Sequence, residues 1–264
     1  MKRIIPFIAA VLVALSAQAQ VVNVNLTNGE TIKYNAGNVE DITFTERIAI
    51  PSAEDPDHFR AVDLGLPSGN LWASHNIGAK KYYEAGYYFA WGEIQPSDTY
   101  AWRNYMWGGY DSNNKPYVNK YTNAEGTTTL TAADDAATAN WGEEWSMPTK
   151  EDFEELIANT TVTAGHDNET HTVLGLTFKA KNASNKAIFI PVAGFYDGEK
   201  IYWGEEYLHC NYWTSQLSSA DISALLFSCD VSSSGENPET PVISIEKDSR
   251  CLGLPIRPVK HKKQ

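Results

Sequence analysis

Apolar positions along the chain follow two rhythms. Over residues 141–157, WGEEWSMPTKEDFEELI, an indole-rich turn runs into a stretch where Phe153, Leu156 and Ile157 recur at helical spacing. Thr149 stands at the N-cap with Asp152 three residues on, and Pro148 blocks an earlier start, so the pattern predicts a helix from Lys150. Glu151, Asp152, Glu154 and Glu155 are expected to face water, their charge on the first turns complementing the helix dipole. Thr131 with Asp134 makes a second capping box and predicts a short helix over TAADDAATANW.

Elsewhere the period is two. VVNVNL, the Asn28-Gly29 pair and TIKY predict a hairpin, and a third short strand ending at Phe44 completes a small β-strand unit over residues 20–50. PSAEDPDHF, residues 51–59, reads as a linker. From about residue 60 onward, strands are predicted over 71–77, 87–91, 172–179, 187–192, 211–215, 222–231, 242–247 and 255–259, with a basic tail at 261–264. Between them, residues 94–129 lose periodicity and fill with Tyr, Trp, Asn and Gly. Loops of that length are usually functional or disordered, and one so aromatic is not expected to be disordered.

The candidate ligand-binding residues lie there: Trp102, Tyr105, Trp107, Tyr110, Asp111, Asn113, Asn114 and Tyr117. Indole and phenol faces stack on the axial C–H faces of sugars, and amide and carboxylate groups bond sugar hydroxyls. The same rings serve equally well as anchors of a long loop, since each would bury on the order of 150–250 Å² if it packed inside.

Lys2 and Arg3, an apolar run of about a dozen residues and Ala17-Gln18-Ala19 form a cleavable signal-peptide pattern over residues 1–19. No run approaches the roughly 20 apolar residues of a membrane span, and no Cys near the cleavage point offers a lipid anchor. The mature chain is therefore expected to be secreted, periplasmic or cell-surface, without membrane insertion. Losing two basic side chains takes the formal net charge from −12 to −14, which argues against nucleic acid as a partner. Of Cys210, Cys229 and Cys251, the pair expected to bridge is Cys229 with Cys251. The six His show no H-x-x-x-H spacing, there is no C-x-x-C, and no Ser lies in G-x-S-x-G, so neither a metal, a cofactor nor a catalytic residue is expected.

The succession AVDLGLPSGNLWASHNIGA, GYYFAWGE, DDAATANWGEEWSMPTKEDFEEL, FIPVAGF, NYWTSQ and LPIRPV resembles the Fibrobacter succinogenes major paralogous domain, over about residues 60–260. That family is similar to C-type lectin-like domains. The resemblance implies an α+β fold with paired terminal strands, two helices, short twisted antiparallel strands and a long loop region used for binding. It implies a non-catalytic module whose partner is a glycan or a host or community protein. Calcium-dependent lectins need E-P-N or Q-P-D and W-N-D; Gln95-Pro96-Ser97-Asp98 departs by an insertion and W-N-D is missing. Two alternatives stand beside this reading. One is a structural or adhesive protein assembling through the N-terminal β unit. The other is a copper oxidase similar to formylglycine-generating enzymes, which share the fold and hold copper by a Cys pair, although the flanking motifs do not match.

Overall fold

The structure, a computed structural model, describes residues 21–25, 31–35, 61–182, 186–203, 209–231 and 241–262. Its two helices show how local chemistry sets their limits. Helix α1, Ala136–Trp141, is capped by Asp135, whose Oδ1 accepts from Thr138 N at 2.9 Å and whose Oδ2 accepts from Met147 N at 2.8 Å. The expected Thr131–Asp134 box is not used, because the Asp134 carboxylate is taken by Lys120 and the Tyr121 hydroxyl. Helix α2, Lys150–Asn159, carries the full capping box between Thr149 and Asp152. Phe153 and Leu156 are buried and Ile157 packs at the edge of the same cluster. Asp152, expected in water, is buried. Its oxygens accept from Thr149 N and Oγ1, from Asn70 Nδ2 and from His261 Nε2.

By backbone contacts the chain divides into two units, residues 1–47 and 48–264. In the first, β1 (Val21–Asn25) and β2 (Thr31–Asn35) pair antiparallel with Val24 opposite Ile32. The expected third strand, the signal peptide and the 51–59 linker lie outside the described residues.

In the second unit β3 (Ala61–Val62) and β4 (Leu71–Ala73) precede β5 (Tyr88–Phe89), and the long loop carries β6 (Gly108–Tyr110) and β7 (Pro116–Val118). After α2 come β8 (Thr160–His166), β9 (Leu174–Ala180), β10 (Ala187–Pro191), β11 (Phe195–Asp197) and β12 (Lys200–Tyr202). Then follow β13 (Tyr212–Leu217), β14 (Ser223–Asp230), β15 (Val242–Ser249), β16 (Leu254–Pro255) and β17 (Val259–Lys260). All pairings are antiparallel. Three sheets have three strands, ordered β10-β9-β8, β13-β14-β15 and β17-β4-β3, and β11-β12, β16-β5 and β6-β7 are pairs. Among the described residues the protein is thus mostly strand in small antiparallel sheets, with two helices. No described helix is long and apolar enough to cross a membrane.

The β13-β14 pair is apolar on both faces. Tyr212 opposite Phe227 enters one cluster with Trp72, Phe153 and Phe178, while Trp213 opposite Leu226 enters a second with Trp91, Trp141 and Trp145. One residue of register reverses the face, so adjacent residues of one strand fill two different cores. The indoles also tie strands together: Trp91 Nε1 donates to Thr214 O and Trp213 Nε1 to Phe89 O, both at 2.9 Å. Strand lengths differ from expectation where side chains claim the backbone's neighbours. The 71–77 strand stops at Ala73 because Asn76 turns inward to Arg257, Ala85 O and the Tyr212 hydroxyl. Strand β8, TTVTAGH, alternates too weakly for its pattern to predict it.

Cys229 and Cys251 are not joined. All three cysteines are free and buried, Cys229 in the cluster around Phe227 and Cys251 in the one around Trp102. Cys229 instead faces Cys210, the two exchanging backbone hydrogen bonds at 2.8 and 3.1 Å. The C-terminal stretch is equally placed by tertiary contacts. Val259 exchanges backbone bonds with Ser146, and His261, expected as part of a solvated tail, is 3.0 Å from Asp152 Oδ2.

Phe153 stacks on Phe227 at 4.6 Å and meets Trp72 at 5.1 Å. Phe153→Ala is expected to cost about 3–5 kcal/mol, seen as a lower urea midpoint at unchanged slope. The Asp152 bond lifts His261 above its ordinary 6.5, against burial; burial would raise Asp152, but bonds from His261 and Thr149 hold it below 3.8. The His261 contribution is therefore complete below 6.5 and lost as pH rises through the raised value, while that of Asp152 is lost as pH falls below 3.8. The melting difference between wild type and His261→Gln should be largest between those limits and shrink in alkali; a difference independent of pH would contradict the pair.

Candidate functional site

The long loop is fastened before it is displayed. Tyr100 exchanges backbone bonds with Gly198 at 2.8 Å, and its hydroxyl donates to Tyr88 O at 2.6 Å. The Tyr105 hydroxyl donates to Trp91 O at 2.6 Å and accepts from Arg250 Nε at 2.9 Å. Burial pushes the Tyr105 phenol well above its ordinary range, with the guanidinium opposing. Arg250 is fully buried and, among the described residues, pairs with no carboxylate. Its remaining donors reach the carbonyls of Tyr121 at 3.1 Å, Asp221 at 3.0 Å and Lys120 at 3.0 Å, and its plane lies 4.6 Å from the Trp91 ring. Lys120 then stacks over Trp107 at 4.1 Å and pairs with Asp134, so the loop returns to α1's approach.

From this base the β6-β7 hairpin projects. Gly108 is required there: a Cβ would stand 2.2 Å from Tyr117 O and 3.3 Å from the Trp102 ring. The tip is shaped by Asp111, whose Oδ1 accepts from Asn113 N and Lys115 N, both at 2.8 Å, and by Asn114 in the left-handed region at φ 57°.

The eight candidate residues therefore separate. Trp102 and Tyr105 are buried, in one cluster with Tyr100 and Cys251. Trp107 is half-buried, its indole donating to Gly92 O at 2.8 Å. Asp111 and Asn114 build the turn. Tyr110, Asn113 and Tyr117 present side chains outward, with Tyr110 45% and Tyr117 47% exposed, and Met106 beside them is 60% exposed. Because Tyr117 pairs with Gly109 and Tyr110 with Pro116, the two tyrosines lie on opposite faces of the hairpin.

Comparison with known proteins finds no relative. No family model matches the chain, and no curated protein or solved structure does.

A cleft of about 490 Å³ opens between residues 74–82 and the β8-β9-β10 sheet, with Lys80, Lys81, Tyr82, Glu169, Ile188 and Phe189 among its walls. The β8-β9 loop that forms one wall is wound around Asp167, whose carboxylate accepts from Glu169 N, Thr170 N and Oγ1, Thr172 N and Val173 N. Burial opposes ionisation there, yet the Thr170 and Val173 bonds prevail and hold Asp167 well below the usual carboxylate range. The adjacent Lys80-Lys81 pair in an acidic chain was the available signal.

Ser146, His261 and Asp152 also fall in a row, Ser146 Oγ 3.1 Å from His261 Nδ1 and Nε2 3.0 Å from Asp152. Asp152 is already occupied by its cap and by Asn70, and Ser146 is bound through its backbone to Val259, so the row clamps β17 to α2. Among the described residues no group of three or more His, Cys, Asp or Glu is placed to hold a metal ion.

Arg250→Lys keeps the charge and loses the fork, leaving buried carbonyls unpaired. The expected cost is about 3 kcal/mol, with faster tryptic cutting at Arg103, Lys115 or Lys120; cutting at the wild-type rate would show that the loop is held elsewhere.

Proposed function

We propose that the protein is an exported, non-catalytic binding module of C-type lectin-like fold that recognises a glycan through the β6-β7 hairpin. The observation that carries this is the contrast within one loop. Trp102, Tyr105 and Tyr121 are buried, Tyr105 and Tyr121 bonded to Arg250 and Trp102 packed on Tyr105, while Tyr110 and Tyr117 stay exposed on the hairpin that those anchors support. Large rings left in water on an immobilised hairpin cost little ordering entropy on binding, which is what a ring-stacking site needs. The fold reading is supported by the motif succession and by the meeting of β3 and β17 on either side of β4, which brings residues near 61 and 260 together. In this reading each tyrosine stacks on one sugar ring of an extended chain passing over the hairpin edge, and Asn113 at the tip bonds hydroxyls.

A glycan array with and without calcium tests the reading. Binding independent of calcium is expected, and Tyr110→Ala or Tyr117→Ala should weaken it about tenfold at unchanged melting temperature. Trp102→Ala should lower the melting temperature instead. Glycan binding that survives the double tyrosine variant, or silence of the array with capture of a protein partner through the same tyrosines, would overturn the glycan assignment.

A further inference from the structure

The cleft beside Lys80 is independent of the hairpin and carries its own chemistry. Its floor is apolar and fixed: Ile188 and Phe189 are buried, and Tyr82 meets Phe189 edge-on at 5.8 Å. Its walls are pinned to each other, since the Tyr82 hydroxyl accepts from Asn168 N at 3.0 Å and Lys81 pairs with Glu169 at 3.2 Å. A volume of about 490 Å³ falls within the range of pockets for small organic ligands.

In a chain of formal net charge −12, lysines outnumber carboxylates in the cleft's lining, Lys80 and Lys81 against Glu169, and the Glu84 carboxylate is engaged by Lys80 N at 2.7 Å and Lys81 N at 3.2 Å. The Lys80 ammonium has no carboxylate partner among the described residues, and the Lys81–Glu169 pair is half exposed, so a ligand can compete for it. Behind the floor lies a third cation. Arg257 is fully buried and bonds Phe189 O at 2.9 Å, Ala73 O at 3.1 Å and Asn76 Oδ1 at 2.7 Å, all neutral acceptors. Phe189 is part of the floor, and Ala73 adjoins Ser74 in the wall. A buried charge compensated only by dipoles is weakly screened, and its field emerges through the nearest concave surface. Ser74 and Thr177 add hydroxyls to the same walls.

We infer that this cleft is a binding site for a small ring-bearing carboxylate. The carboxylate lies between Lys80 and Lys81, and the ring rests on Ile188, Phe189 and the edge of Tyr82. A ligand of this class presents one negative charge to two ammoniums, one of them partly claimed by Glu169, and an apolar face to an apolar floor.

Calorimetric titration of the full chain at low ionic strength with glucuronate and benzoate, against glucose and benzyl alcohol, tests the site. The two acids are expected to bind, more weakly as salt rises, and the neutral compounds not to bind. Lys80→Gln should weaken the acids about tenfold. Glu169→Gln should tighten them about threefold by releasing Lys81, a gain that misfolding cannot produce. Inorganic sulfate should bind less well than either acid, because it leaves the floor uncovered. Equal binding of acids and neutral compounds, no binding of either acid, sulfate binding as well as the ring acids, or a Glu169→Gln variant that binds no better would each overturn the assignment. The hairpin variants Tyr110→Ala and Tyr117→Ala should leave these titrations unchanged, so this site and the hairpin stand or fall separately.

Discussion

A guanidinium withdrawn from water needs acceptors in several directions at once, and among the described residues this protein withdraws two onto neutral acceptors alone. Arg250 takes carbonyls from residues 120, 121 and 221, and Arg257 takes carbonyls from residues 73 and 189. Each acceptor belongs to a segment far away in sequence. The cost of burying the charge is met only when all of those segments have arrived, so each arginine enforces convergence more strictly than an apolar contact of similar size would. Between them runs β16, paired with β5, and just beyond Arg257 runs β17, paired with β4. One short stretch, 250–260, is thereby joined to the long loop, to all three aromatic clusters and to the floor of the cleft.

What the sequence made legible was local. The α2 cap rests on two residues three apart and a proline, and its geometry formed as the spacing dictates. Late strands appeared within a few residues of expectation; β13 and β14 are examples. The α1 cap moved from Thr131 to Asp135 because Asp134 was claimed by Lys120 and Tyr121, partners in the long loop that no window around residue 134 includes. The burial of Asp152 is invisible to a local pattern for the same reason, its partners being Asn70 and His261.

The candidate site was legible as a segment and not as a surface. Trp102, Tyr105, Tyr110 and Tyr117 look alike in sequence, since all are aromatic residues in a polar, glycine-rich stretch. Arg250 and Gly108 divide them: the first collects Tyr105 inward, and the second lets the hairpin backbone cross the Trp102 ring. The cysteine pairing failed similarly. Cys229 lies on β14 in the cluster around Phe227, and Cys251 lies in the turn after β15 in the cluster around Trp102. The cleft was least visible of all, because Lys80, Glu169 and Phe189 come from three separate segments and the cation behind them, Arg257, from a fourth.

The meeting of β4 with β17 has a kinetic side. Arg257 reaches Ala73 across 184 residues, and Lys262 reaches Asn70 across 192. Contacts of such long range form late in folding, after most of the loop entropy has been surrendered, and they slow the overall rate. Until then neither Trp72 nor Trp213 has its full set of neighbours, because the stretch that seals both cores is still outside them. The last step is thus a single closure that completes two hydrophobic interiors together, and the same step should be the first to reverse when the native protein opens.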